Sequence, residues 1–258
     1  MNNTQPDKAP KRGLVALAAA VAISAAFLVT TVTAPATAQV QPSANTTQEL
    51  SRKQQAIAPI AAAMAVGDLP RLNKALNHGL DAGLTVSDTK EILVQLYAYA
   101  GFPRSLNALG ELMKVVDARK QRGLQDPPGR APGPVPTGKE LLALGTANQT
   151  KLSGAPVRGA LFEFAPAIDE YLKTHLFGDI FARDNFDWQS RELATVGALA
   201  AMSGVESQLL SHVRISMNVG LTAPQLRQLA DGLAQQGHAE AAARTRVAID
   251  KHLADANR

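Results

Sequence analysis

Residues 191–212 read RELATVGALAAMSGVESQLLSH. Small and aliphatic residues dominate from Leu193 to Met202, Gly204 interrupts them, and a second run follows from Glu206. Alanine and leucine favour helix, a glycine after such a run marks its end, and Glu206 fits the first turn of the next helix, where the dipole favours a carboxylate. If Gly204 turns the chain, the two helices run antiparallel. Glu192 then lies twelve residues before the turn and His212 eight after it. At ~1.5 Å per residue their axial positions differ by roughly 6 Å, a gap that long side chains and helix tilt can close. The stretch therefore predicts a helical hairpin with a carboxylate and an imidazole on facing helices.

Composition carries the same message to the rest of the chain. Of 258 residues, 46% are apolar and only 4% aromatic. Strands favour β-branched and aromatic residues, so this mix points to an all-α fold. The net charge of +4 is small, part of it lies in the N-terminal tail, and there is no block of like charges. That gives no electrostatic basis for nucleic-acid binding. With no cysteine, thiol chemistry is excluded.

Toward the N-terminus, Lys8, Lys11 and Arg12 form a basic segment, residues 13–31 are apolar and alanine-rich, and Ala36-Thr37-Ala38 is a small-x-small site. This layout predicts a secretory signal peptide over 1–38, cut near Ala38, and a periplasmic or secreted body. The apolar run is also long enough for an uncleaved membrane anchor. Residues 39–48 read as a flexible lead-in.

A first helical repeat is expected over 49–120. Ala56, Ile57, Ile60, Ala61, Met64 and Ala65 share one helix face, Asp68 and Thr85 are capping residues, and Gly67, Gly83 and Gly101 close helices. A further helix is expected from Pro103 to about Lys120. Residues 121–138 hold five prolines and four glycines, a density that admits no regular element. Residues 121–160 therefore read as linker and connector, with one short helix at 139–144. A second repeat is expected over 161–258, with helices over 162–181, 189–202, 206–219 and 224–235, then a break at Gly237 and a final amphipathic helix to about Ala254. The halves share a register. Gly67 and Gly204 are 137 residues apart, as are Leu72 and Leu209, and Gly83-Leu84-Thr85 and Gly220-Leu221-Thr222. In that register Glu192 falls on Gln55 and His212 on Ala75, so any chemistry of the pair belongs to the second half.

Phe177 to Thr222, FGDIFARDNFDWQSRELATVGALAAMSGVESQLLSHVRISMNVGLT, resembles the core of the carboxymuconolactone decarboxylase family. Gly83 to Leu109, GLTVSDTKEILVQLYAYAGFPRSLNAL, resembles the end of the same unit in the first half. The resemblance implies a duplicated alkylhydroperoxidase-D-like helical fold and a homo-oligomer. Its peroxidase branch carries two cysteines three apart and a histidine four after the second. Those positions here are Val205 and Gln208, so the thiol reaction has no nucleophile.

The decarboxylase branch implies a small-molecule carboxylated lactone as substrate and no metal or organic cofactor. Such a site must hold carboxylates, stabilise an oxyanion and deliver a proton to carbon. The candidates are His212 as proton donor and Glu192 as the group that orients it. Arg191 and Arg214 could bind a substrate carboxylate or form surface ion pairs. Tyr97, Arg104 and Asn107 could border a pocket or serve core and helix ends. The same Glu192–His212 pair also fits a helix-start carboxylate and an interface histidine. His78, His175, His238 and His252 show no spaced partner, so no zinc site is expected. Two functions stay open: a cofactor-free lyase, and a non-catalytic helical binding or scaffold protein.

Overall fold

The computed structural model describes residues 49–256, all of whose regular elements are helical. The expected signal peptide (1–38) and lead-in (39–48) lie outside them. In order, the elements are α1 (Arg52–Val66), α2 (Leu69–Asp81), α3 (Val86–Gln95), α4 (Tyr97–Ala100), α5 (Phe102–Gln121), α6 (Gly138–Ser153), α7 (Ala160–Phe164), α8 (Pro166–Tyr171), a π-helix (Leu172–Ile180), α9 (Trp188–Ala201), α10 (Glu206–Asn218), α11 (Ala223–Gln235) and α12 (Ala239–Ala256).

Helices α1, α2, α3 and α5 recur as α9, α10, α11 and α12 in the 137-residue register. The turns repeat with them. Gly67 and Gly204 sit at φ 77° and 79°, and Gly83 and Gly220 at 97° and 98°, a left-handed region that glycine enters without steric cost. Thr85 and Thr222 each cap the next helix, accepting from the backbone of Asp88 and Gln225, whose side chains answer with a bond to the cap's own N–H. Thr85→Ala and Thr222→Ala should each cost about 1 kcal/mol in chemical denaturation. A change of a few tenths would show that packing alone sets these helix starts.

The expected one-sided burial of α1 is too modest. Every residue from Ala56 to Ala65 is buried, Pro59 included, and α9 is buried from Ser190 to Ala200. The reason is position: α1 and α9 lie against each other at the centre, each wrapped by its own repeat and by the other. A helix covered all round has no polar face to show. The main core accordingly draws on both halves, joining Ile57, Leu72 and Leu93 to Val196, Leu209 and Leu226.

Three expectations need correction. The helix expected to run up to Gly101 is divided at Leu96 into α3 and α4. The helix expected over 162–181 breaks into α7, α8 and the π-helix. The short helix expected at 139–144 is the sixteen-residue α6. The packing partner of α6 is the π-helix, out of reach of any local pattern. Asn148 donates to the Phe177 carbonyl at 2.8 Å, and Gly145 passes so close to the Lys173 carbonyl that a Cβ would not fit. Between α5 and α6 no regular element forms, yet the segment is strapped down. The carbonyls of Pro127 and Pro128 accept from Val86 and Ser87 at 3.0 Å, and Asp126 pairs with Arg119.

Candidate active site

Asp187 caps α9, accepting from Ser190, and Gly204 turns the chain into α10. The hairpin so formed places Glu192 and His212 in contact. His212 Nδ1 lies 2.8 Å from Glu192 Oε2. The Glu192 side chain is wholly buried and that of His212 10% exposed. With Nδ1 held by the carboxylate, Nε2 is the ring nitrogen able to exchange a proton outward. Glu192 Oε1 is also buried and makes no hydrogen bond among the described residues.

A third side chain joins them that sequence reading missed. The Tyr99 ring, from α4 of the first repeat, meets the His212 ring edge-on at 5.5 Å between centroids. Its hydroxyl is buried, with the Thr195 side chain beside it. Burial, and next the negative charge of Glu192, push the phenol well above the ordinary tyrosine range, so it stays protonated. Tyr97, the tyrosine expected at the site, does not reach the pair. Two residues apart on a helix, the two rings face opposite ways. Tyr97 stacks on Phe102 at 4.3 Å and lies 5.4 Å from the His175 ring.

Arg191 departs from both roles expected for it. It is neither a surface ion pair nor an open carboxylate clamp, because none of it is exposed. Its guanidinium donates to Glu91 at 3.0 Å, to Gln95 at 3.1 Å and to the Arg183 carbonyl at 3.0 Å. Arg183 grips the same Glu91 through two bonds of 2.9 and 2.7 Å, and Asn185 adds a third donor at 3.1 Å. Gln95 closes the cluster, donating to the Arg191 carbonyl and to Thr195 at 2.8 Å each. Burial pushes the Glu91 carboxyl up, but the bonds from Arg183, Asn185 and Arg191 outweigh it and hold it at about 2.

The remaining candidates stand apart from the pair. Arg214 on α10 and Arg104 and Asn107 on α5 are exposed, and among the described residues none bonds to Glu192 or His212. His175, expected to have no spaced partner, has one: Asp179 lies 2.7 Å from its Nδ1, one turn on. Among the described residues no cluster of three or more acidic or histidine side chains is placed to hold a metal ion. A 330 Å³ cavity beside Ser51 and Asp88 and a 640 Å³ groove between α10 and α12 are not lined by Glu192 or His212.

A duplicated four-helix unit with a carboxylate–histidine pair in its second copy can be compared with known families. The model of the carboxymuconolactone decarboxylase family matches residues 36–113 and 166–251, more than half of the chain and one stretch in each repeat. The chain belongs to the carboxymuconolactone decarboxylase family. No curated protein matches it. Within this family's fold, Val205 and Gln208, where the peroxidase branch would carry its thiols, occupy the cap and first turn of α10. The helix start is kept and the redox groups are not.

Proposed function

We propose that the chain is an exported, cofactor-free lyase that decarboxylates a small carboxylated lactone, with His212 as proton donor and Glu192 as the residue that positions it. The observation carrying this reading is the 2.8 Å contact between His212 Nδ1 and a carboxylate with no exposure at all. Such a contact commits Nδ1–H to the carboxylate and orients the ring, so that Nε2–H of the doubly protonated ring is the proton positioned for transfer. In the step envisaged, the bond between the substrate carbon and its carboxylate breaks and carbon dioxide leaves. The electron pair moves through the adjacent double bond onto the lactone carbonyl. The proton from His212 Nε2 ends on carbon as the carbonyl reforms, and water returns a proton to the ring. Arg191 takes no part, since it is wholly buried and its two terminal nitrogens bond to Glu91, Gln95 and the Arg183 carbonyl. Export rests on the pattern of residues 8–38.

A second reading, a non-catalytic helical binding protein, draws on the exclusion of Arg191 and on cavities that avoid the pair. One experiment separates them: carbon dioxide release from carboxymuconolactone by the purified protein without added metal, with His212→Ala alongside. The lyase reading expects turnover that falls at least about a hundredfold in the variant, with helicity unchanged. Ligand-dependent stabilisation without any turnover would replace it with the binding reading.

A further inference from the structure

Glu91, Gln95 and Tyr99 follow one another at intervals of four, the spacing that lays side chains on one face of a helix. Helix α3 ends at Gln95 and α4 begins at Tyr97, but the contacts carry the face across the join. Glu91 bonds to the Arg191 guanidinium, Gln95 donates to the Arg191 carbonyl and to Thr195 Oγ1, and the Tyr99 hydroxyl lies beside Thr195. The Arg191 carbonyl belongs to the peptide that leads into Glu192, and Thr195 Oγ1 donates to it as well, at 3.0 Å. Two donors on one carbonyl hold that peptide, and with it the root of the Glu192 side chain. At the far end of the stripe the Tyr99 and His212 rings meet at 5.5 Å and 79°, the edge-on arrangement that aromatic rings favour. One stripe of the first repeat thus bears on both members of a pair that the second repeat carries.

The arrangement is not reciprocated. In the 137-residue register the stripe falls on Gln228 and Gly232 of α11 and on Gln236 just after it. Gln228 accepts from the Leu50 backbone N–H at 2.7 Å, and Gly232 has no side chain to send toward α1. A glutamine stands where the first repeat has the Tyr99 ring.

We propose that Tyr99 is a positioning residue for the Glu192–His212 pair: its ring holds the imidazole edge-on while its buried hydroxyl, beside Thr195, seats that ring against α9. The bond to Glu192 fixes one nitrogen of His212 but leaves the imidazole able to swing about that bond. A productive site tolerates deviations of only about 10–20°, so a second constraint on the ring matters. The effect on turnover rests on the lyase reading; the effect on the ring does not.

Two readouts on the full chain keep these apart. The first is exchange of the His212 Nδ1–H with water, followed by NMR against the backbone amides of α10 in the same sample. The second is kcat and KM for carbon dioxide release from carboxymuconolactone. Tyr99→Leu keeps apolar bulk and removes the ring. It should speed Nδ1–H exchange about tenfold, the scale that an aromatic contact carries, and leave the amides unchanged. It should lower kcat by a similar factor, with KM within about twofold of native. Tyr99→Phe restores the ring and should bring both readouts back to within about threefold of native. A Tyr99→Leu chain with native Nδ1–H exchange would overturn the proposal. So would α10 amides accelerated by the same factor, since Tyr99 would then support the fold rather than the ring. Equal losses in Tyr99→Phe and Tyr99→Leu would overturn it as well, because the ring would not be what matters. A native chain without turnover, in which Tyr99→Leu still frees the Nδ1–H selectively, would sink the lyase reading and leave this one standing.

Discussion

Replacing Glu91 with alanine should destabilise the fold by about 3–5 kcal/mol, read from the midpoint and slope of urea unfolding. The magnitude follows from what is left behind. Arg191 has no exposed surface, and its only carboxylate partner in the described network is Glu91. Without that partner a buried guanidinium keeps its charge and loses its compensation. Arg183, with a side chain 30% exposed, can turn to water, so its own removal should cost less. The pH dependence has a definite sign. The Glu91 carboxyl titrates at about 2 in the folded chain against 4.5 ordinarily, so the unfolded chain takes up this proton first. Its contribution is complete above the ordinary glutamate range and is lost as pH falls from there through about 2. At 1.36 kcal/mol per unit that amounts to about 3 kcal/mol. Glu91→Gln should lack this acid slope. A slope equal to that of the native chain, or an alanine variant within about 1 kcal/mol of it, would rule out the network as a stabilising element.

Gly197→Ala should also cost more than about 3 kcal/mol, although helix propensity alone argues for a gain of about 1 kcal/mol. Gly197 sits within α9, packed against the backbone of α1 at Ala58. A Cβ there would lie 2.7 Å from the Ala58 carbonyl oxygen and 2.8 Å from the Ala58 Cα. Those are backbone atoms of a helix buried on every side, so no rotamer change relieves the contact and the two helices must separate. Overpacking in a well-packed core typically costs 1–3 kcal/mol, and separating the central pair exposes more of it. Thermal unfolding of the single variant decides the matter. A raised melting temperature would mean that α1 and α9 are farther apart in solution than this geometry holds them.

How far the sequence revealed all this varies with the range of each interaction. The repeat was legible because its markers are local. A left-handed glycine or a threonine cap is required by backbone geometry within a few residues, and Gly67, Gly83, Thr85 and their partners keep it. The Glu192–His212 contact was legible because a single turn relates the two helices. The role of Arg191 was not, because its partner Glu91 is 100 residues away and no local pattern links them. Tyr99 was missed for a related reason, since it reaches His212 from the other repeat. Helix α6 was obscured by its own glycine, which only the close approach of the Lys173 carbonyl explains.

The packing of α1 on α9 makes the chain equivalent to two single repeats pressed face to face and then tethered. Association between them is intramolecular, so the shared core does not loosen on dilution as that of two separate chains would. Tethering also lets the two copies diverge. Where one holds Glu192 and His212, the other holds Ala75 and a glutamine, Gln55, that donates to the Leu50 carbonyl at 2.7 Å. The backbone is nearly symmetric, but the ionisable pair occurs once. In an assembly of any size, the number of such pairs equals the number of chains rather than the number of repeats.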